Sequence, residues 1–171
     1  SAVARSAGLS TGAIYRYFPS KSMLLVHALT DAVDYEIGLL RRLTQAQTTA
    51  TERLRVAVDS FTRRALRGPH LAYAFIAEPI DPDVDAGRIA CRVRFGEVFK
   101  DVLTDGIAAG EFPAQSVDVS AACIVGSFTE ALVGPVSAAK QPADAEHVID
   151  EIVAFCLRAA GAAPMRSSVG A

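Results

Sequence analysis

Apolar residues recur at three- and four-residue intervals along nearly the whole chain, and Gly and Pro cut that rhythm into segments. Leu54, Val58, Phe61 and Ala65 form one stripe, with Arg53, Arg63, Arg64 and Arg67 off it. Val148, Ile149, Ile152, Val153, Cys156 and Leu157 form another. Breaks fall at Gly8, Pro19, Gly68-Pro69, Pro79 to Asp83, Gly110 to Pro113 and Gly134-Pro135. Ala is abundant, and no β-branched run bounded by turn signals reads as a strand. The pattern therefore predicts an all-α fold of eight helices.

Ser1 to Ala7 reads as a short helix stopped by Gly8, and Ser10 as the N-cap of a second one through Phe18. Ser20 caps a long helix to about Leu43, with Met23, Leu24, Ala28, Leu29, Ala32, Ile37, Leu40 and Leu43 at roughly helical spacing. Thr49-x-x-Glu52 fits a capping box. The later helices are expected at His70 to Glu78, Val84 to Ala109, Ser116 to Gly134-Pro135, and Pro142 to Ala160. In the Val84 to Ala109 helix, Ile89, Val93, Phe99 and Leu103 lie near one face, with Cys91, Phe95, Val98 and Val102 beside it.

With 171 residues, 51% of them apolar, the chain can bury a sizeable core. Its three cysteines are scattered, which suits reduced thiols in a cytoplasmic protein. The apolar run Val117 to Val136 carries Asp118, Ser120, Thr129 and Glu130. It reads as a helix buried by protein on most sides rather than a membrane span.

Charge is distributed unevenly. The chain is −2 overall, yet Arg5, Arg16 and Lys21 stand before Asp31 without any acid, so that end is +3. The segment Gly8 to Lys21 opens with Gly8-Leu9-Ser10-Thr11-Gly12, a match to a hydrolase nucleophile elbow. Such an elbow needs a buried strand before the serine, and a short helix stands there instead. Helix, tight glycine turn, helix is the helix-turn-helix layout. The small residues Thr11, Gly12 and Ala13 let the second helix approach a duplex closely. Tyr15, Arg16 and Tyr17 offer hydroxyls and a guanidinium on adjoining faces. Ile14 and Phe18 share the face that pins the helix inward. Lys21 opposes the dipole of the helix it begins, a conflict that a nearby phosphate removes.

The run Ala4-Arg5-Ser6-Ala7-Gly8-Leu9-Ser10-Thr11-Gly12-Ala13-Ile14-Tyr15-Arg16-Tyr17-Phe18-Pro19-Ser20-Lys21 resembles the DNA-binding signature of the TetR family of bacterial transcriptional regulators. The likeness is dense from Val3 to Leu29; beyond it only the helical layout agrees. It implies a partial helix-turn-helix DNA-binding domain with its connecting helix over 1–43, a ligand-binding and dimerisation domain over 44–161, and an expected flexible tail over 162–171. By similarity, Gly12, Ala13 and Arg16 face bases, and Thr11, Tyr15, Tyr17 and Lys21 hold phosphates. The implied partners are a double-stranded DNA operator, a small-molecule inducer and a second subunit. Family members carry a further helix ahead of the position where this sequence begins, so the resemblance is to an N-terminally shortened member. The contrasting reading is a dimeric small-molecule-binding module that does not read DNA.

In the body, Phe61, Tyr73, Phe75, Phe95, Phe99 and Phe128 fall on helices that should converge, either as plain core or as the lining of a pocket. Arg88 and Arg92 are one turn apart, and Glu130 is a lone acid in an apolar helix. An internal Arg–Glu pair, exposure to solvent and contact with a ligand all account for them, and the ligand reading adds Arg88 and Arg92 to the pocket. The two C-terminal helices carry more apolar surface than one helix face needs, which suggests a four-helix dimer interface. Burial within one subunit is the alternative. An inducer near the Val84 to Ala109 helix is expected to tilt the Ser20 to Leu43 helix and change the spacing of the two reading heads. Asp144-x-x-His147 and His27-x-x-x-Asp31 have ligand spacing but lack the fuller set a metal site needs. No cofactor, metal site or catalytic constellation is expected, and no membrane contact.

Overall fold

The computed structural model describes residues 8, 10–77, 82–137 and 144–162, without the side chains of Thr11 and Asp83. Seven helices form among them: α1 (Thr11–Tyr17), α2 (Lys21–Gln45), α3 (Ala50–Arg67), α4 (Pro69–Ile76), α5 (Pro82–Ala108), α6 (Val117–Val136) and α7 (Ala145–Ala160). The helix expected at Ser1 to Ala7 lies outside the described residues, as does Pro142.

Side-chain oxygens start the helices as the sequence suggests. The Ala13 N–H donates to Ser10 Oγ and the Met23 N–H to Ser20 Oγ, each at 3.1 Å. The Glu52 N–H donates to Thr49 Oγ1 at 3.2 Å. The capping box there is only half formed, because the Glu52 carboxylate accepts from Arg55 instead of turning back to Thr49. The last helix begins at Ala145, capped by Asp144, whose Oδ1 accepts the His147 N–H at 3.0 Å.

A distant acid completes the start of α3. Glu111, just past the positive-φ turn at Gly110, accepts the Ala50 N–H at 2.9 Å and the Thr51 N–H at 2.8 Å. Beside it, Phe112 is buried over Gly106, where a Cβ would stand 2.3 Å from the ring. Burial raises the Glu111 carboxyl, but the Thr51 and Ala50 donors and the nearby Arg53 outweigh it and hold the group below its usual range. Glu111→Ala strands two buried-end donors and should cost about 1–2 kcal/mol in urea denaturation at pH 7. A depressed folded pKa stabilises above the unfolded value of about 4.3 and ceases to as pH falls through the folded one. The difference between wild type and variant should therefore shrink below pH 4; a gap independent of pH would contradict this account.

The core is a knot of phenylalanines. Phe95 of α5 sits 5.1 Å from Phe61 of α3 and 5.5 Å from Phe99, and Phe128 of α6 packs 5.2 Å from Phe61. Two expected faces need correction. On α2 the buried stripe is Leu29, Val33, Ile37, Leu40 and Thr44, while Met23 and Ala28 are exposed. On α5, Cys91, Phe95, Val98, Phe99, Val102 and Leu103 face inward, and Ile89 and Val93 face out. The apolar sector of α5 is so wide that spacing alone did not select its buried half.

Helix α6 also differs from expectation. By length and composition it could cross a membrane, with a mean hydropathy of 1.5. Its Ala121, Ile124, Val125, Phe128 and Leu132 are buried in the core, as in a core helix. The opposite side, with Val119, Ala122, Cys123 and Gly126, is exposed, so protein of this subunit covers only one side. The three cysteines are unpaired; Cys91 and Cys156 are buried, and burial pushes the Cys156 thiol up to about 12.

Candidate nucleic-acid interface and ligand cavity

The α1 surface is set by two inward anchors. Ile14 is buried, and the half-buried Phe18 lies 5.3 Å from His27 of α2. These anchors turn the rest of the helix outward. Gly12, Tyr15, Arg16 and Tyr17 are exposed, Tyr17 by 73%, and Ala13 is half-buried. A Cβ at Gly12 would meet nothing within 4 Å, so the backbone there is open to approach. Lys21 is the first residue of α2, exposed, with no acid in that turn. Neither Arg16 nor Lys21 has an ion-pair partner among the described residues. The Thr11 side chain lies outside the described part. Ser10 is occupied as an N-cap on a loop-to-helix junction, and no strand exists among the described residues to make a nucleophile elbow. His27 pairs with Asp31 at 3.5 Å on an exposed face.

A largely apolar cavity of about 480 Å³ lies between α2, α3, α4 and α5. Phe61, Phe75 and Phe95 line it. Tyr73 packs half-buried against the core outside the lining. Phe99 and Phe128 are wholly enclosed in the phenylalanine knot rather than in the cavity wall. Arg88 and Arg92 are also outside the wall. Arg88 Nη2 donates to Asp85 at 2.7 Å, and Arg92 Nη2 reaches Thr129 Oγ1 at 3.4 Å beside a smaller groove between α5 and α6. Glu130 is exposed and forms no ion pair among the described residues, so it does not pair with Arg88 or Arg92 inside the protein.

Spacing missed most of the cavity wall. Leu29, Ala32, Val33, Tyr35 and Glu36 come from α2, and Arg64 and Arg67 from α3. Arg64 bridges the two helices: its Nε donates to Glu36 Oε1 at 3.0 Å, its Nη2 also bonds Glu36, and Nη1 bonds Ser60. In sequence these charges read as a solvated face. The available signal was weak: Glu36 sits between the buried positions Val33 and Ile37, at the edge of the α2 stripe.

Comparison with known proteins agrees with this architecture. The family described as bacterial regulatory proteins, tetR family, matches residues 1–28. The tetracyclin repressor-like C-terminal domain matches residues 47–132. No curated protein matches in sequence. Among solved structures, the transcriptional regulator FadR from Bacillus subtilis, in complex with stearoyl-CoA, has a TM-score of 0.82 at 19% identity, covering 92% of this chain and 86% of that one. The fatty acid degradation regulator FadR from Bacillus halodurans gives 0.81 at 17% identity, with 91% and 84% covered. RolR in complex with resorcinol gives 0.72 at 21% identity, with 94% and 75% covered. At such identities the likeness shows the fold, while the two family matches together take in both the reader and the body. The chain belongs to the TetR family of bacterial regulatory proteins.

Proposed function

We propose that the protein is a cytoplasmic, homodimeric repressor that leaves its operator when a small molecule fills the cavity between α2 and α5. One observation carries the reading. The single helix α2 begins at the exposed Lys21 beside α1 and supplies Leu29 to Glu36 of the cavity wall. At 1.5 Å per residue its 25 residues span roughly 37 Å, so one rigid rod joins the reading head to the cavity. Related folds hold ligands as unlike as stearoyl-CoA and resorcinol, which supports a ligand-binding role without naming the molecule. In a dimer the two α1 helices would enter successive major grooves about 34–36 Å apart. The ligand must favour the wrong spacing by a few kcal/mol to release DNA.

The DNA-facing roles separate by experiment. Fluorescence anisotropy on the gene's own promoter and on random duplex should show Tyr17→Phe and Lys21→Ala weakening both alike, by about 1 kcal/mol each, because phosphates carry no sequence. Arg16→Ala should lose about 1–3 kcal/mol on the promoter alone. Affinity should fall steeply with salt. If all three variants lose equally on both duplexes, Arg16 does not read bases. If wild type binds neither duplex, the module without DNA binding is the better description.

A further inference from the structure

The cavity wall holds three charged side chains, and their balance says what the cavity prefers. Glu36 is its single acid among the described residues, against Arg64 and Arg67. The wall is therefore net cationic and otherwise almost wholly aliphatic and aromatic. Arg64 and Glu36 are only 26% and 23% exposed, so solvent screens their pair less than a surface pair. Arg67, one turn on, has no acid partner among the described residues.

The pair is also a mechanical tie. It fastens α2 to α3 about 22 Å along α2 from Lys21, at 1.5 Å per residue. The other side of α2 is held by Asp34 to Arg94 of α5, a half-exposed pair that binds weakly. Nearer the head, Val26 lies against Gly87 so closely that a Cβ there would come within 2.9 Å. The polar contact between α2 and α3 thus faces the ligand space, and the packing contact with α5 does not.

We propose that the cavity takes an amphiphile with an apolar body and one carboxylate, and that this carboxylate replaces Glu36 on Arg64. The proposal rests on reading this cavity as the ligand site. A guanidinium fork accepts a ligand carboxylate in the geometry it gives Glu36. Arg67 supplies a second cation that Glu36 does not use. Once displaced, Glu36 turns to solvent and α2 loses its polar contact with α3 at the cavity, leaving apolar packing between them, while the Val26–Gly87 contact stays as a fulcrum for the head. A neutral ligand of the same length fills the apolar space but leaves the tie intact. Ligand charge, rather than ligand bulk, then decides whether the head moves.

The test uses the full chain with decanoate and decan-1-ol, titrated calorimetrically below their aggregation limits. Decanoate should bind at least about tenfold more tightly, the scale of a charge-assisted hydrogen bond. Glu36→Gln removes the competing carboxylate and should tighten decanoate about tenfold further with decan-1-ol unchanged. Arg64→Gln should bring decanoate down to the alcohol's affinity. Amide exchange of α2 around Glu36 should quicken with decanoate and not with decan-1-ol. Equal binding of acid and alcohol in the wild type, or a Glu36→Gln variant that weakens decanoate, overturns the proposal and leaves the cavity reading standing. If decan-1-ol fails to bind, or Ala72→Trp in the wall leaves its binding intact, the cavity reading falls and the proposal with it.

Discussion

Phe95→Ala is expected to lower the unfolding free energy by about 3–5 kcal/mol, the usual cost of deleting a buried ring. Phe95 is 1% exposed and touches four other rings, Phe61, Phe75, Phe99 and Phe128, with centroids 5.1 to 6.4 Å away. Its removal loses both apolar burial and the tilted ring contacts, each worth about 0.5–1.5 kcal/mol beyond area. Neighbours fixed on α3, α4 and α6 cannot all collapse into the gap. The thermal midpoint should drop by roughly 6–20 °C at a fixed protein concentration, taking about 2–4 °C per kcal/mol for a chain of this size. Ile89→Ala, on the exposed side of the same helix, should shift it by no more than about 2 °C. Because Phe95 also lines the cavity, the larger void should still admit decan-1-ol in the folded variant. A loss below about 1 kcal/mol would mean that the ring cluster is loosely packed and not the centre of the core.

The helical layout was legible because Gly, Pro and N-cap residues punctuate it locally. Ser10, Ser20, Thr49 and Ser116 act through partners three residues away, within reach of any sequence window, whereas the Asp144 cap stands two residues past the Pro142 start that the sequence suggested. The outward face of α1 was legible for a similar reason, since Ile14 and Phe18 alone choose which side points inward. The cavity was less so. Phe61, Phe75 and Phe95 could be named, yet Phe99 and Phe128 have the same composition signal and lie in solid core. Nothing local tells a ring beside a void from a ring beside another ring. Glu36 and Arg64 meet across 28 positions, and each alone looks like a surface charge. Glu111 is the same case in the framework, capping a helix some 60 residues earlier. Pairings set by tertiary geometry leave no periodic trace, and they make up both the α3 cap and the proposed switch.

In the proposed homodimer, Gly126→Arg should shift the protein from dimer to monomer. The proposed interface runs along the exposed side of α6, where Val119, Cys123 and Gly126 follow one another at helical spacing with Ala122 beside them. Phe155 of α7 is 50% exposed and Val119 61%, a cost in water that a second copy would remove. Small residues on α6 let the partner helix come close. A Cβ at position 126 would meet nothing within 4 Å in the subunit, so the arginine has room and replaces a poor helix former with a good one. The single subunit should therefore fold at least as well as before. In the dimer the guanidinium would be buried without an acid, at about 3–5 kcal/mol, or roughly a hundred- to several-thousand-fold in dissociation constant. Sedimentation velocity at micromolar concentration reads the change directly, with Gln45→Arg on the exposed end of α2 as a charge-matched control. Operator affinity should collapse with the dimer, since one reading head holds only a half-site. A Gly126→Arg protein that sediments as a dimer and still binds its promoter would place the twofold contact elsewhere, and the apolar side of α6 would need another occupant.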